Sequence, residues 1–355
     1  MSLKKNDMII VTGISGYIGS HMAAKLLTTC QFNILGLDSV AMPKNNGKIL
    51  KDFSDKANVK LLFEQVDLTD GPVLRDIIGI FKMHYNIVAV MHFASFKSVE
   101  ESVKDPLKYY NNNLIGTINL LSIMSAFKLD NFIFSSSATV YNLEMVAGDI
   151  AGDKHCEKDY KFKESDFELS KMQANAYGSS KYMIEHMLGQ LNLNSISLRY
   201  FNVVNYAFGL SSISKSENLM DAILKSRAME QQLIIYKSPK YSKTELKTIK
   251  DPTCHRDFIH ISDLVEGHML ALNKLLSSSS NALIKKAYNL GSGHATSVLT
   301  LVNCFIKVNN CPLDYKLVDT TRPGDVHYSC SDTTLAEKEL GFKCTKTLND
   351  LCLLK

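Results

Sequence analysis

The sequence predicts an α/β protein: a doubly wound parallel sheet followed by a smaller C-terminal α/β unit. Three observations predict it. Up to Tyr200, apolar runs of strand length alternate with segments of helical periodicity, the rhythm of a parallel sheet covered on both faces. The first apolar run, Met8 to Val11, passes into a glycine-spaced turn and then a helix-like segment. After Tyr200 the elements shorten and the loops lengthen.

The strand candidates are Met8–Thr12, Phe32–Leu37, Lys60–Val66, Ile87–Phe93, Asn131–Ser135 and Ser195–Tyr200. Each is a short apolar run bounded by polar or glycine-containing residues. Helical spacing of apolar residues predicts helices near Tyr17–Thr28, Gly71–His84, Asp105–Phe127 and Tyr177–Leu191. Residues 1–201 are expected to form the nucleotide-binding unit, with 254–276 returning to it. Residues 202–253 and 277–355 are expected to form the second unit, closing over the cleft. Asn142–Asp159 is polar, charged and glycine-containing, as a surface excursion would be. Ser277–Ser280 reads as a flexible loop.

The turn from Val11 to His21 carries Gly13, Gly16 and Gly19. A strand, a glycine turn and a helix N-terminus form a site for a pyrophosphate, because exposed N–H groups and the helix dipole receive the anion. Glycine lets the backbone turn tightly and approach a ligand without a Cβ between them. The second strand ends in Asp38, nineteen residues past Gly19. An acid there hydrogen-bonds the adenosine ribose and repels a 2′-phosphate. The combination predicts a Rossmann-type dinucleotide fold.

In such sheets ligands sit at the carboxyl ends of the strands. Three segments fall there: Phe93–Lys97, Ser135–Ser137 and Tyr200–Asn202. Tyr177-Gly178-Ser179-Ser180-Lys181 places a phenol and an ammonium four apart, on one helix face. A nearby ammonium favours phenolate over phenol, so Tyr177 is a candidate general base. The hydroxyls of Ser135, Ser136 and Ser137 offer donors and acceptors beside a reacting alcohol, though two of the three could be turn caps. Lys97 stands at the cleft edge, either on a phosphate or ribose or in solvent.

The formal net charge is +4 with 21% charged residues. The lysines are scattered rather than set in a stripe, which argues against nucleic acid. No run of 18 apolar residues occurs, so no transmembrane helix is expected. MSLKKND leads straight into the first strand, so no signal peptide is expected. The eight cysteines lack C-x-x-C spacing, which predicts reduced thiols in the cytosol and no metal site.

These segments together resemble the extended short-chain dehydrogenases, and within them the UDP-galactose 4-epimerase family. The matching strings are GISGYIGSH, FASFKSVEESVKDPLKYYNNN, FIFSSSATVY, YGSSK, LRYFN, NLM, RDFIHISDLVEGH, YNLGSG and RPGD, in order from the glycine turn to Asp325. The resemblance implies reversible inversion at C4 of a UDP-hexose through a 4-keto sugar. It implies NAD surrounded by Gly13, Gly16, Tyr17, Ile18, Gly19, Asp38, Asp67, Leu68, Phe93, Ala94, Lys97, Asn112, Tyr177, Lys181 and Tyr200. It implies catalysis by Ser137, Tyr177 and Lys181. It implies that Ser137, Tyr177, Asn202, Asn218, Leu219, Arg256, Arg322, Asp325 and Ser329 hold the UDP-sugar. The arginines also make physical sense alone, since guanidinium binds a pyrophosphate in a fork.

Nucleotide-sugar dehydratases of the superfamily usually carry a Thr-Asp-Glu set where this chain has Ser137-Ala138-Thr139, with no carboxylate, so a dehydratase is disfavoured. Another nucleotide-sugar oxidoreductase or decarboxylase is the alternative enzyme reading, and an NAD-binding sensor the non-enzymatic one. Ser329 stands where some members have a bulky tyrosine, so an N-acetylated hexose is expected to fit. The Asp105–Phe127 and Tyr177–Leu191 helices carry more apolar residues than one sheet face requires, which with the resemblance implies a homodimer through a four-helix bundle. Two departures stand out: a long Tyr141–Glu164 stretch, and Val203–Ala207 in place of a proline-valine-glycine run.

Overall fold

The computed structural model describes residues 6–29, 32–141, 160–167, 175–210, 219–246, 249–278, 282–322 and 325–354. Its strands, in chain order, are β1 (Asp7–Thr12), β2 (Asn33–Asp38), β3 (Leu61–Gln65), β4 (Asn86–His92), β5 (Asn131–Ser137), β6 (Asn194–Tyr200), β7 (Asn202–Val204), β8 (Leu233–Lys237), β9 (His255–His260), β10 (Lys285–Leu290), β11 (Ala295–Ser297), β12 (Tyr315–Thr321) and β13 (Tyr328–Ser329). Seven of them form one parallel sheet in the order β10-β6-β5-β4-β1-β2-β3. The order reverses between β1 and β4, which opens a crevice at their carboxyl ends.

β1 shows how the sheet is buried on both sides. Ile9 and Val11 pack with the helices Tyr17–Thr29 and Ile261–Ser277 on one face. Met8 and Ile10 pack with Gly71–His84, Gly116–Phe127 and Ala176–Gln190 on the other. Successive side chains of a strand point to opposite faces, so a strand covered twice must be apolar throughout. Among the described residues, no helix is long and apolar enough to cross a membrane.

Three expectations need correction. The Asp105–Phe127 stretch is not one helix: it runs Pro106–Tyr109, then a wide π turn at Tyr110–Ile115, then Gly116–Phe127. Pro106 starts a helix at its N1 position, with the Asp105 side chain capping it, and periodicity does not register the extra residue of a π turn. The second boundary, at 277, comes too early. β10 pairs with β6 along all six residues, and its Tyr288, Asn289 and Leu290 are fully buried. The exposed Lys285 and Lys286 at its start make the strand look like a continuation of the preceding loop. Of the segment 254–276, only the helix lies on the large sheet; β9 pairs instead with β7, β11 and β13.

The second unit has its own core. Met220 and Ile223 of the helix Leu219–Ala228, Leu233 and Ile235 of β8, and Leu301, Val302 and Phe305 of the helix Val298–Asn309 are buried together with Leu351 and Cys352 near the C-terminus. Asn205 ties this unit to the first one. It adopts a left-handed backbone, φ 67°, and its amide donates to the carbonyls of Asp350, Leu351 and Leu353. Its own carbonyl accepts the Tyr17 hydroxyl. The expected excursion Asn142–Asp159 lies outside the described residues, as do Ser279 and Ser280 of the serine loop.

Candidate active site

The glycine turn leaves no room for side chains. Gly13 has φ +69°, and a Cβ there would stand 2.6 Å from the Ala94 nitrogen. A Cβ on Gly19 would stand 2.1 Å from the Gly13 carbonyl oxygen, so only glycine lets the helix approach the strand. The turn is held by Gly13 N–H donating to Leu37 O at 2.7 Å and Gly16 N–H donating to Gly13 O at 3.0 Å. Asp38 closes its far side, accepting from Ser15 N–H at 2.9 Å and Val40 N–H at 3.2 Å. Burial pushes its carboxyl upward, against the hydrogen bonds from Val40, Ser15 and Ser39. These residues fit a dinucleotide: the glycines let strand and helix backbones close up at a helix N-terminus, which would receive a pyrophosphate, and the acid would meet a ribose diol.

A buried chain of hydrogen bonds links this turn to the rest of the site. Thr117 donates to Asn113 O at 2.6 Å, so it accepts from His92 Nε2–H at 2.9 Å. His92 Nδ1 is then the bare nitrogen and takes the Thr12 hydroxyl proton at 2.7 Å. The Thr12 oxygen in turn accepts from the N–H groups of Phe93 and Ala94. Burial drives the His92 pKa down to about 3, which keeps the ring neutral in this role. Asn113, from the π turn, accepts Phe96 N–H at 2.8 Å and donates to Phe96 O and Ser180 Oγ. It thereby joins the loop after β4 to the helix carrying Tyr177.

That helix, Ala176–Gln190, begins with Asn175 as its N-cap, the side chain accepting from Gly178 N–H. Lys181 is 2% exposed and donates to Ser135 O at 2.7 Å. Its ammonium lies 4.8 Å from the Phe134 ring centroid and 5.9 Å from that of Tyr177. Burial pushes the Lys181 pKa down to about 7, against the pull of the Glu185 carboxylate. Burial raises the Tyr177 phenol, and a hydrogen bond from Ser137 lowers it. Ser137 Oγ accepts Thr139 N–H at 3.2 Å, which leaves its proton for the phenol oxygen. A phenol, an ammonium and a hydroxyl thus converge at the end of β5, with two lysine protons unspent.

Across the crevice, Arg256 on β9 donates to Asp325 Oδ1 at 3.3 Å and to His255 O at 3.0 Å. Asp325 N–H donates to Arg322 O at 3.1 Å, so the backbone of Arg322 is tied to the residue that pairs with Arg256. Arg322 acts electrostatically on Glu100, after β4. Ser329 is buried and registers opposite Arg256. Asn202 donates to Asp257 O. Leu219 packs at the edge of the second core, and Asn218 lies outside the described residues.

Several expected residues meet neighbours by side chain in ways their spacing does not reveal. Tyr17 spends its hydroxyl on Asn205, and Ile18 packs on the core. Asp67 accepts from Thr69 N–H and Oγ at 2.8 Å, and buried Leu68 lies against Gly116. Asn112 donates to Asn113. Lys97 is exposed. The Tyr200 hydroxyl donates to His268 Nε2, because His268 spends Nδ1–H on Leu264 O.

Sequence reasoning missed Asn113, His92 and, above all, Asp257. That fully buried carboxylate accepts five hydrogen bonds, from Ser292 and Ser331 by N–H and hydroxyl and from Gly293 N–H. It locks the loop beside Arg256; a Cβ on Gly291 would stand 2.5 Å from Asp257 Oδ2. The signal was present in the two adjacent strings, RDFIH and GSG, but nothing local shows that they meet.

Residues 9–291 match the NAD dependent epimerase/dehydratase family. The UDP-glucose 4-epimerase of Dictyostelium discoideum is 34% identical over 98% of this chain and 94% of its own length. The structure of UDP-glucose 4-epimerase from Bifidobacterium longum, in complex with NAD+ and UDP, superposes with a TM-score of 0.78 at 28% identity, covering 97% of this chain and 96% of that one. The UDP-Glc/GlcNAc 4-epimerase of Campylobacter jejuni superposes with a TM-score of 0.72 at 27% identity, covering 98% and 97%. With its glycine turn, its Tyr177–Lys181 pair and a near full-length match to UDP-glucose 4-epimerases, this chain belongs to the NAD-dependent epimerase/dehydratase family.

Proposed function

We propose that this protein epimerises UDP-hexoses reversibly at C4, interconverting UDP-galactose and UDP-glucose through a 4-keto sugar, with NAD as a recycled cofactor. One observation carries the reading: Tyr177, Lys181 and Ser137 converge at the end of β5, in the sheet whose crevice also holds the glycine turn. Bound NAD supplies the redox chemistry, taking up the C4 hydride and returning it to either face. Gly13, Gly16 and Gly19 hold its pyrophosphate, Asp38 its adenosine ribose, and Lys181 a ribose hydroxyl through its unspent protons.

The Tyr177 phenolate takes the proton of the 4′-hydroxyl and later gives it back. Ser137 donates toward the phenolate oxygen and steadies it. Arg256 and Arg322 bind the diphosphate, with Asp325 orienting Arg256. The 202–253 and 291–355 segments form the UDP-sugar side of the cleft. Binding energy from the UDP anchors the substrate while the sugar turns. Ala138 and Thr139 offer no carboxylate for water elimination, which favours epimerase over dehydratase chemistry.

Two finer readings belong to the same proposal. Ser329 leaves room for a 2-acetamido group, so UDP-GlcNAc and UDP-GalNAc are substrates too. Neighbouring Tyr328 supports this, since it stacks on His255, with ring centroids 6.4 Å apart, and adjacent strand residues point to opposite faces. The protein also forms a homodimer in the cytosol. The segment from Val99 to Ile118 exposes Val103, Leu107, Ile115 and Ile118, apolar residues suited to a helical interface.

Four outcomes follow. Tyr177→Phe lowers kcat at least about 10²-fold with the nucleotide still bound; near-normal turnover removes Tyr177 from its role. Denaturing the purified protein releases NAD or NADH, and a mainly NADP release contradicts the role of Asp38. Ser329→Tyr abolishes turnover of UDP-GalNAc and largely spares UDP-galactose; wild-type protein inert toward UDP-GalNAc refutes the open pocket. Sedimentation at micromolar concentration shows a dimer, and monomer alone contradicts the interface.

A further inference from the structure

The catalytic helix touches the end of β5 at three places rather than two. Tyr177 takes the hydrogen bond of Ser137 and Lys181 donates to Ser135 O at 2.7 Å. One turn further on, Glu185 accepts the hydroxyl proton of the intervening Ser136. Residues 177, 181 and 185 are four apart and share one helix face. Glu185 is also paired with Arg199 on β6: Arg199 Nη2 donates to Oε2 at 2.7 Å and Nε to both oxygens. The side chains of this pair are 5% and 3% exposed. Arg199 donates in addition to the Tyr141 hydroxyl and to Glu164 O, so its position is fully specified.

We propose that Glu185 is a positioning residue for the reaction: it fastens the third rung of the helix–strand seam and so holds a carboxylate one turn beyond Lys181, on the helix face that carries Tyr177. This rests on the catalytic reading above. The groups facing Lys181 leave Glu185 as its nearby anion. On its own helix are Tyr177 and Glu185. From β5 come the Ser135 carbonyl and the Phe134 ring. From β4 comes His92, which burial keeps neutral. β6 carries Arg199, bound to Glu185, and Tyr200, which acts on Tyr177 and which burial holds in its protonated form.

The sign of the effect follows. In the catalytic reading Tyr177 and Lys181 share their protons, and the active form holds one proton, on the lysine. Loss of the Glu185 charge lowers the affinity of Lys181 for that proton. The pair then loses its first proton at lower pH, and more of the singly protonated form carries a neutral lysine and a protonated phenol. Glu185→Gln therefore moves the acid limb of kcat down by about one pH unit and lowers the plateau about tenfold, with KM for UDP-galactose unchanged.

The test compares wild-type holoenzyme, Glu185→Gln and the double variant Glu185→Gln/Arg199→Met, which leaves no uncompensated arginine if the single variant fails to fold. The double variant shows a smaller shift of the same sign, since a positive charge is removed with the negative one. A readout independent of turnover is the tyrosinate absorbance difference between each protein and its own Tyr177→Phe partner, followed against pH. An unmoved acid limb and unmoved tyrosinate titration overturn the proposal, whether or not activity falls. If Tyr177→Phe itself turns over normally, it is the catalytic reading that has failed. If Tyr177→Phe is inactive while Glu185→Gln behaves as wild type, only the role of Glu185 has.

Discussion

The site depends on a buried ammonium. Lys181 is taken out of water at the seam between the Ala176–Gln190 helix and β5, and an isolated charge in such a place costs far more than a folded domain can spare. The seam meets that cost with fixed partners: a carbonyl of Ser135, the faces of two aromatic rings and a carboxylate one turn away. Burial still leaves Lys181 with a pKa of about 7, so its charge is held by neighbours rather than by solvent.

The surroundings of the seam serve to keep it rigid. The buried Glu185–Arg199 pair contributes little net stability, yet breaking it by removing one partner costs about 3–5 kcal/mol. It joins the catalytic helix to β6 and, through Tyr141 and Glu164, to both flanks of the long stretch between them. On the other side, the Thr12–His92–Thr117 chain and Asn113 carry the position of the glycine turn to the same helix. On the substrate side, Asp257 does for the Arg256 loop what the serine ladder does for the helix. Each of these is a fully satisfied polar network, and such networks specify one arrangement because a partial one leaves buried groups unpaired.

Much of this was legible in the sequence, for physical reasons. Gly13 and Gly19 mark places where a Cβ collides with backbone, so their spacing carries the geometry of the turn. Tyr177 and Lys181 are four apart on one helix, so their juxtaposition is local. Five of the first six strands are largely buried, and the apolar residues of the half-exposed edge strand β3 pack against the core, so their apolar runs announce them. What stayed hidden is long-range or atypical. β10 starts with two exposed lysines and pairs with a strand ninety residues earlier. Glu185 and Arg199 meet only when β6 is laid against the helix. Asp257 gains its meaning only when the strings RDFIH and GSG meet. The π turn at Tyr110–Ile115 breaks the period by which helices are recognised.

The central claim is that one bound nucleotide takes a hydride from C4 and returns it to the same carbon. The most direct measurement uses UDP-galactose carrying deuterium at C4, incubated with the purified protein and no added nucleotide. The account predicts UDP-glucose that retains the deuterium at C4. Loss of the label to solvent, or product that forms only when NADH is supplied, would contradict it.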